Sequence, residues 1–350
     1  MMFPPFHDYT LAPVISRMEQ CRICGTREGK KIAEVNYWDL RESNLIKCDT
    51  CGMMQLDPML TSKDIELGCT AYSYFSDPPE KEERNSLRCY RRGIAFASRL
   101  KQQRFCPQRI LEIGPGNGYF SRGVKFVFPE ARITVLDIVD SLLEYNQKVH
   151  GFTTLKGTPE NLNPEIQADK FNLIIARDVL EHVSDIGKVI TNIYGLLENG
   201  GLFNFVTPNG LEDAWQYYLC WKLNGKPAQA LLNHVNFFDP MTLKGYIKET
   251  GFEIQSYYIY TLKNFFRGKG WWVRAKHIAE ISTKKSAKES IKIKCDSHET
   301  GFQQYDFIKS PLMSLGWLTQ LYCRYKHPIG IKVPSGLKIG HEIFCIAQKI

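Results

Sequence analysis

The stretch Arg109-Ile110-Leu111-Glu112-Ile113-Gly114-Pro115-Gly116-Asn117-Gly118-Tyr119-Phe120 constrains this chain more than any other. Apolar residues on both sides of Glu112 read as a short buried strand, and three alternate glycines follow at once. Phe120, Val124 and Val127 then recur at helical spacing until Pro129 stops the helix. Strand, tight glycine turn and helix together bring backbone N–H groups and a helix N-terminus against a ligand. A dinucleotide fingerprint, G-x-G-x-x-G, would need its third glycine at Tyr119, but glycine stands at 118. The order is E-x-G-x-G-x-G. Such a turn alone occurs in many unrelated loops, so its meaning depends on the rest of the chain.

At 350 residues the chain exceeds one typical domain, and a main domain with appendages is expected. No apolar run approaches the ~18 residues of a membrane span. Met1 to Thr10 lacks a basic start followed by an apolar run, so no signal peptide is read and the expected location is cytoplasmic. In that compartment the eleven cysteines point to metal rather than disulfides where they lie in close pairs. Two such pairs stand out, Cys21-Arg-Ile-Cys24-Gly25 and, after 23 intervening residues, Cys48-Asp-Thr-Cys51-Gly52. The two-residue spacer lets both sulfurs of a pair face one ion, and the glycine permits the turn beneath it. Four thiolates close a tetrahedral zinc site with no open position, hence structural. Free thiols or a redox pair are the alternative.

Downstream of the glycine turn, strand and helix patterns alternate. Ile133–Asp137 reads as a strand ending in an acid, and a carboxylate there can accept from both ribose hydroxyls of an adenosine ligand. A cap on the next helix is the bland reading of Asp137. A short strand at 152–156 leads to Thr158 and Glu160, and Phe171–Ala176 forms a further strand before Arg177-Asp178-Val179-Leu180-Glu181-His182. A helix ending at Asn199-Gly200-Gly201 precedes a strand over 202–206, a helix over 241–251 enters a strand over 253–260, and the last strand lies at 342–347. Near-continuous apolar runs suit parallel strands buried on both faces, with ligands at their carboxyl ends.

The glycine motif, Asp137 and the Leu180-Glu181-His182 ending resemble the class I S-adenosylmethionine (SAM)-dependent methyltransferases. Beside the N-terminal zinc ribbon and, as a departure from the family's minimal fold, a basic helical insertion before the last strand, the resemblance implies an α/β fold: a doubly wound, seven-stranded, mostly parallel sheet (a Rossmann-like methyltransferase core). It implies SAM and structural zinc as cofactors. By the same resemblance Glu112, Gly114, Gly116, Gly118, Tyr119, Asp137, Thr158, Arg177 and Asp178 contact SAM, with Thr158 and Glu160 flanking adenine. His182 would lie near the transferred methyl, and His234, just before a helix, at the substrate pocket. Either histidine could serve as base or merely as lining. Cys21, Cys24, Cys48 and Cys51 would hold the metal. The layout resembles a largely bacterial group that includes sugar C-methyltransferases and enzymes of polysaccharide and natural-product pathways, although residues 263–334 do not match the further domain of the sugar enzymes.

The expected organisation is an arm at 1–18, a zinc ribbon at 19–60, a helical connector at 61–107, the core at 108–262 with 335–350, and the insertion at 263–334. Tyr72, Tyr74 and Phe75 in the connector could pack or face a ligand. Between 263 and 294, ten Lys/Arg stand against Glu280 and Glu289, an excess that equals the whole chain's net charge of +8. With Trp271 and Trp272, this segment reads either as a lid or as a peripheral contact with an anionic membrane surface. The expected acceptor is a sugar, glycan precursor or other small metabolite, methylated at a hydroxyl or carbon. A tRNA or DNA methyltransferase is the alternative from another class, disfavoured because the charge is confined to the insertion; a catalytically silent SAM-binding scaffold is a third.

Overall fold

The computed structural model describes residues 15–17, 19–37, 41–60, 64–65, 79–162, 166, 169–229, 234–260 and 342–350. Tyr72, Tyr74, Phe75, Trp271, Trp272, the whole insertion at 263–334 and most of the arm lie outside them. Among the described residues no helix is long and apolar enough to cross a membrane.

Two sheets organise the rest. The larger contains β5 (Arg109–Ile113), β6 (Arg132–Asp137), β7 (Thr153–Lys156), β8 (Phe171–Arg177), β9 (Leu197–Pro208), β12 (Phe252–Tyr260) and β13 (Glu342–Lys349), in the order β12-β13-β9-β8-β5-β6-β7. β5 to β9 pair in parallel, and β13 enters antiparallel between β9 and β12. The strands form because their apolar runs alternate between two cores. Ile110, Ile133, Val135, Leu173 and Ile175 face one, while Leu111, Ile113, Leu136, Ile174 and Ala176 face the other. β9 differs from the sequence reading. Its first residue is Leu197, and the helix before it, Ile186–Leu196, stops earlier. Asn199-Gly200-Gly201 is no helix terminus but an irregularity within the strand: the partner of Phe171 is Leu197 and that of Leu173 is already Leu202. Gly200 absorbs it at φ 77°.

The smaller sheet joins β1 (Ile15–Arg17), β2 (Glu28–Tyr37), β3 (Arg41–Cys48) and β4 (Met54–Asp57). Two short strands from far along the chain complete it. β10 (Ala228–Gln229) pairs with β2 and β11 (Asn236–Phe237) with β4. The sequence alone gave no hint of them. Cys21, Ile46, Cys48 and Met53 share one core with Phe238, Leu243 and the larger sheet. The cysteine-bearing sheet is thus built into the α/β body.

Helix α1 (Pro79–Gln102) crosses α2 (Tyr119–Val127) through a pair of glycines. A Cβ on Gly93 would stand 2.0 Å from the Phe120 carbonyl oxygen, and one on Gly123 would stand 2.1 Å from that of Tyr90. Backbone meets backbone there, so nothing can swing aside. Gly123→Ala should therefore lower Tm by roughly 5–10 °C through overpacking of about 3 kcal/mol, despite alanine's better helix propensity. Gly195→Ala, in a helix position with nothing within 4 Å among the described residues, is the control and should raise Tm slightly. Thermal denaturation monitored by circular dichroism reads both.

Candidate active site

The expected ligand cradle lies at the carboxyl ends of β5, β6 and β8. Gly114, Gly116 and Gly118 take φ of 63°, 56° and 73°, a left-handed region that only glycine enters freely. The Gly114 N–H donates to the Leu136 carbonyl at 2.9 Å, tying the turn to β6 beside Asp137. The reason for glycine at 118 differs from the expected close approach to a ligand. A Cβ there would collide with Asn146 Oδ1 at 1.9 Å and His150 Cδ2 at 2.8 Å. Fully buried Asn146 donates through Nδ2 to the Gly116 carbonyl at 2.9 Å and the Leu142 carbonyl at 2.8 Å. The turn is therefore held from behind by a residue that sequence reasoning missed. Tyr119 also differs from expectation. Its ring is buried with Tyr90, Ile94 and Tyr145, and its hydroxyl lies 3.1 Å from that of Tyr145. Its side chain packs the interior, leaving only its backbone, at the start of α2, for the cradle.

The acids of the cradle are strongly perturbed. Burial pushes the Glu112 carboxyl up to about 7 against the pull of Ser121 and Arg177, and its buried Oε2 has no hydrogen-bond partner among the described residues. Burial also raises Asp137 to about 6, opposed by the N–H groups of Val139 and Ile138. Asp137 Oδ1 accepts from the Val139 N–H at 2.9 Å, but Val139 is the N-cap of the next helix and that helix has no side-chain cap bond, so Asp137 ties down the turn after β6 without capping the helix. Its second oxygen is not consumed by that bond. An orphaned acceptor and a strand-end carboxylate around a glycine turn fit an adenosyl ligand rich in donors. Half-buried Arg177 places its guanidinium carbon 4.4 Å from the centre of the Phe120 ring. Asp178 sits at φ 55° and its N–H donates to the Val206 carbonyl at 2.8 Å. Its side chain is reached by solvent although protein surrounds it closely, as in a recess, and burial raises its carboxyl against the charge of Arg177. Thr158 accepts from the Asn161 N–H at 3.1 Å. Glu160 instead accepts from the Ser184 N–H at 2.8 Å and so secures the loop after His182.

The two histidines, far apart in sequence, come together. Their ring centres are 5.0 Å apart, and the Nε2 atoms of His182 and His234 lie 3.8 and 4.0 Å from Glu181 Oε1. Glu181 is buried, and its Oε2 accepts from the Thr207 hydroxyl at 2.9 Å. His234, 6% exposed, meets Asp213 Oδ2 through Nδ1 at 2.8 Å. Burial disfavours the charged imidazole, but the Asp213 hydrogen bond and the charges of Asp213, Glu181 and Asp178 outweigh it and raise its pKa. Burial, reinforced by Asp178 and opposed by His234, pushes Glu181 up to about 8. Both groups therefore hold protons at higher pH than they would in water. Because a carboxylate only accepts, Asp213 fixes the proton on Nδ1 and leaves the Nε2 lone pair turned toward Glu181 and His182. A histidine held this way by an acid can take a proton from a bound molecule. Asp213 and Glu181 had no assigned role in the sequence. The structure places Asp213 in the opening turns of the helix Gly210–Asn224.

The four cysteines also converge. Their sulfurs lie within 4.8 Å of one another, with Cys21–Cys51 at 3.6 Å and Cys24–Cys48 at 3.5 Å. Zn–S bonds of about 2.3 Å make a tetrahedron with edges of about 3.8 Å, so the spacing fits. The two knuckles repeat one geometry. Gly25 and Gly52 sit at φ 77° and 78°, and each donates to the carbonyl of the cysteine four residues earlier.

The Methyltransferase domain family matches residues 82–257. The chain is similar to the malonyl-[acyl-carrier protein] O-methyltransferase of Legionella pneumophila, 27% identical over 124 residues that are 33% of this chain and 41% of that protein. It is 31% identical over 102 residues to malonyl-[acyl-carrier protein] O-methyltransferase 1 of Ilyobacter polytropus, covering 28% of this chain and 37% of that one. The chain spans about two fifths of the length of these curated relatives. Among solved structures it is similar to an S-adenosylmethionine-dependent methyltransferase from Clostridium acetobutylicum, with TM-score 0.37 and 14% identity over 48% of this chain and 82% of that one.

Proposed function

Since the chain belongs to the Methyltransferase domain family through residues 82–257, we propose that it methylates a hydroxyl or acidic carbon of a small metabolite, using SAM. A sugar or glycan precursor is the acceptor class we favour. SAM supplies a methyl group already activated on a sulfonium, so the protein's part is placement and proton handling. Glu112, Asp137, Thr158 and the turn from Gly114 to Gly118 would hold the cofactor, with Arg177 and Asp178 beside it. His234, oriented by Asp213, would take the acceptor's proton, and His182 would line the same pocket.

The observation that carries this reading is the buried 2.8 Å contact between His234 and Asp213. The curated relatives are malonyl-[acyl-carrier protein] O-methyltransferases. A carboxylate acceptor has no proton to lose, and an oriented histidine base would have no task there. Hydroxyls and carbon acids do need one. The test is methyl transfer from labelled SAM, comparing a panel of nucleotide sugars and polyhydroxylated metabolites with a malonyl acyl-carrier thioester. Label appearing on the thioester and on none of the hydroxylated compounds would overturn the acceptor assignment.

Cofactor binding is testable by itself. Asp137→Ala should weaken SAM binding on the order of a hundredfold, since two hydrogen bonds to a charged acceptor are lost. With the free carboxyl titrating at about 6, affinity should also fall as pH drops through that value, because the protonated acid is the poorer acceptor. Isothermal calorimetry reads both effects. We further assign Cys21, Cys24, Cys48 and Cys51 to one structural zinc ion. Elemental analysis should find it bound at one per chain and lost in Cys48→Ser.

A further inference from the structure

His234 stands at the entry to a strand that belongs to the cysteine-bearing sheet. In β11, Asn236 lies opposite Gln55 and Phe237 opposite Met54 on β4. Arg22, between two of the cysteines of the first knuckle, runs into the interior rather than out to solvent. Its Nη1 donates to Asn236 Oδ1 at 2.5 Å and approaches the Val235 carbonyl at 3.4 Å. Its own N–H donates to Gln55 Oε1, and Gln55 Nε2 donates to the Gln20 carbonyl, so the knuckle is braced on both sides. The far side of Asn236 faces the other histidine. Nδ2 donates to the Leu180 carbonyl at 3.0 Å and to the Val183 carbonyl at 2.8 Å, the two ends of the turn that carries Glu181 and His182. The Val235 N–H closes the ring by donating to the Glu181 carbonyl at 2.8 Å.

The chemistry of this chain of contacts is directional. Arginine only donates, and the two carbonyls only accept. Asparagine presents an acceptor to one side and donors to the other, so Arg22 fixes which way the Asn236 amide faces. The second knuckle grips the same stretch where the Thr242 hydroxyl donates to the Cys51 carbonyl.

We propose that the first cysteine knuckle is a positioning element of the histidine pair: through Arg22 and Asn236 it sets how His182 and His234 face one another. This rests on reading those histidines as the acceptor-side groups of a methyltransferase. Arg22 and Asn236 are positioning residues and touch no substrate.

The test uses the full-length, zinc-loaded chain with isotope-labelled histidine, comparing wild type with Arg22→Met and Asn236→Asp. The first removes the knuckle's donor and keeps the aliphatic stem. The second keeps an acceptor for Arg22 but turns a carboxylate onto two carbonyls. In both, the ring signals of His182 and His234 should shift, while that of His150 stays in place. His150 is the internal reference because its Nε2 is held by the Asn117 carbonyl behind the glycine turn. Amide exchange at Val235 and His182 should accelerate about tenfold or more, with β5 and β8 amides unchanged. Arg22→Lys, which keeps a donor, should restore part of the wild-type pattern. Zinc content and SAM affinity should remain within about twofold of wild type, because the four thiols, the backbone turns beneath them and the glycine turn all stay in place.

Unmoved His182 and His234 signals in both variants would overturn the coupling. If Arg22→Met also displaces the His150 signal, it has disturbed the fold at large, and Asn236→Asp decides alone. Failure of the functional reading looks different. Wild-type protein would then bind no SAM, whatever the histidine signals do.

Discussion

Gly118→Ala should abolish measurable SAM binding and destabilise the chain, although it adds a single methyl group. Alanine at φ 73° is strained by about 1 kcal/mol or more. The larger effect is the 1.9 Å approach of the new Cβ to Asn146 Oδ1. Asn146 cannot retreat cheaply, because it is fully buried and its amide nitrogen is committed to the Gly116 and Leu142 carbonyls. Relief must come from the turn itself, through loss of the bond to Gly116, and the turn is the proposed cofactor cradle. Overpacking of this kind costs about 1–3 kcal/mol. Displacing the backbone donors should remove about a hundredfold or more in affinity besides. Gly151→Ala separates strain from collision. Gly151 has a similar φ of 69° but, among the described residues, nothing within 4 Å of its Cβ position. It should lose only about 1 kcal/mol of stability and keep its SAM affinity. Calorimetry and thermal denaturation of the two variants side by side give the answer. Equal SAM affinity in both would mean that the turn is not the cradle.

That contrast shows which parts of the site were legible in the sequence. Strand β5, the three glycines and the acid ending β6 declare themselves because local chemistry dictates them. Apolar runs bounded by Gly and Pro make buried strands, and alternate glycines make a left-handed turn. The cysteine knuckles are legible for the same reason. What was not legible depends on partners distant in the chain. Asn146 is an ordinary polar residue until the fold lays it against Gly118. Arg22 is only a spacer residue between two cysteines in the sequence, yet it reaches Asn236 across most of the chain. Tyr119, next to the last glycine, looks like a ligand contact but packs inside with Tyr90 and Tyr145. Asn199-Gly200-Gly201 has the composition of a helix end, while the ladder between β8 and β9 turns it into a bulge. Local rules named the elements, and long-range pairing decided which side chains serve the site.

The histidine pair is where that pairing has the largest expected consequence. His234→Ala should lower kcat by about 10²–10⁴ with an acceptor that must lose a proton, and leave SAM affinity near wild type. Loss of a base removes an interaction made only during transfer, so kcat and kcat/KM should fall together. The pH profile tests the electrostatics. His234 must be neutral to accept a proton, and Asp213, Glu181 and Asp178 together raise its pKa above the ordinary 6.5. Turnover should therefore fall as pH is lowered, with the midpoint of that acid limb above 6.5. Asp213→Asn removes the charge that lifts the imidazole and leaves a neutral amide that can turn its NH2 as well as its oxygen to Nδ1, so the limb should move to lower pH. The same change frees the Nδ1 proton to migrate to Nε2, and kcat on the plateau should drop by about tenfold or more. A merely structural Asp213 could reduce the plateau by unfolding some of the protein, but it would leave the limb where it was. A limb unmoved by Asp213→Asn would therefore take the base role away from His234 even if the variant were slow.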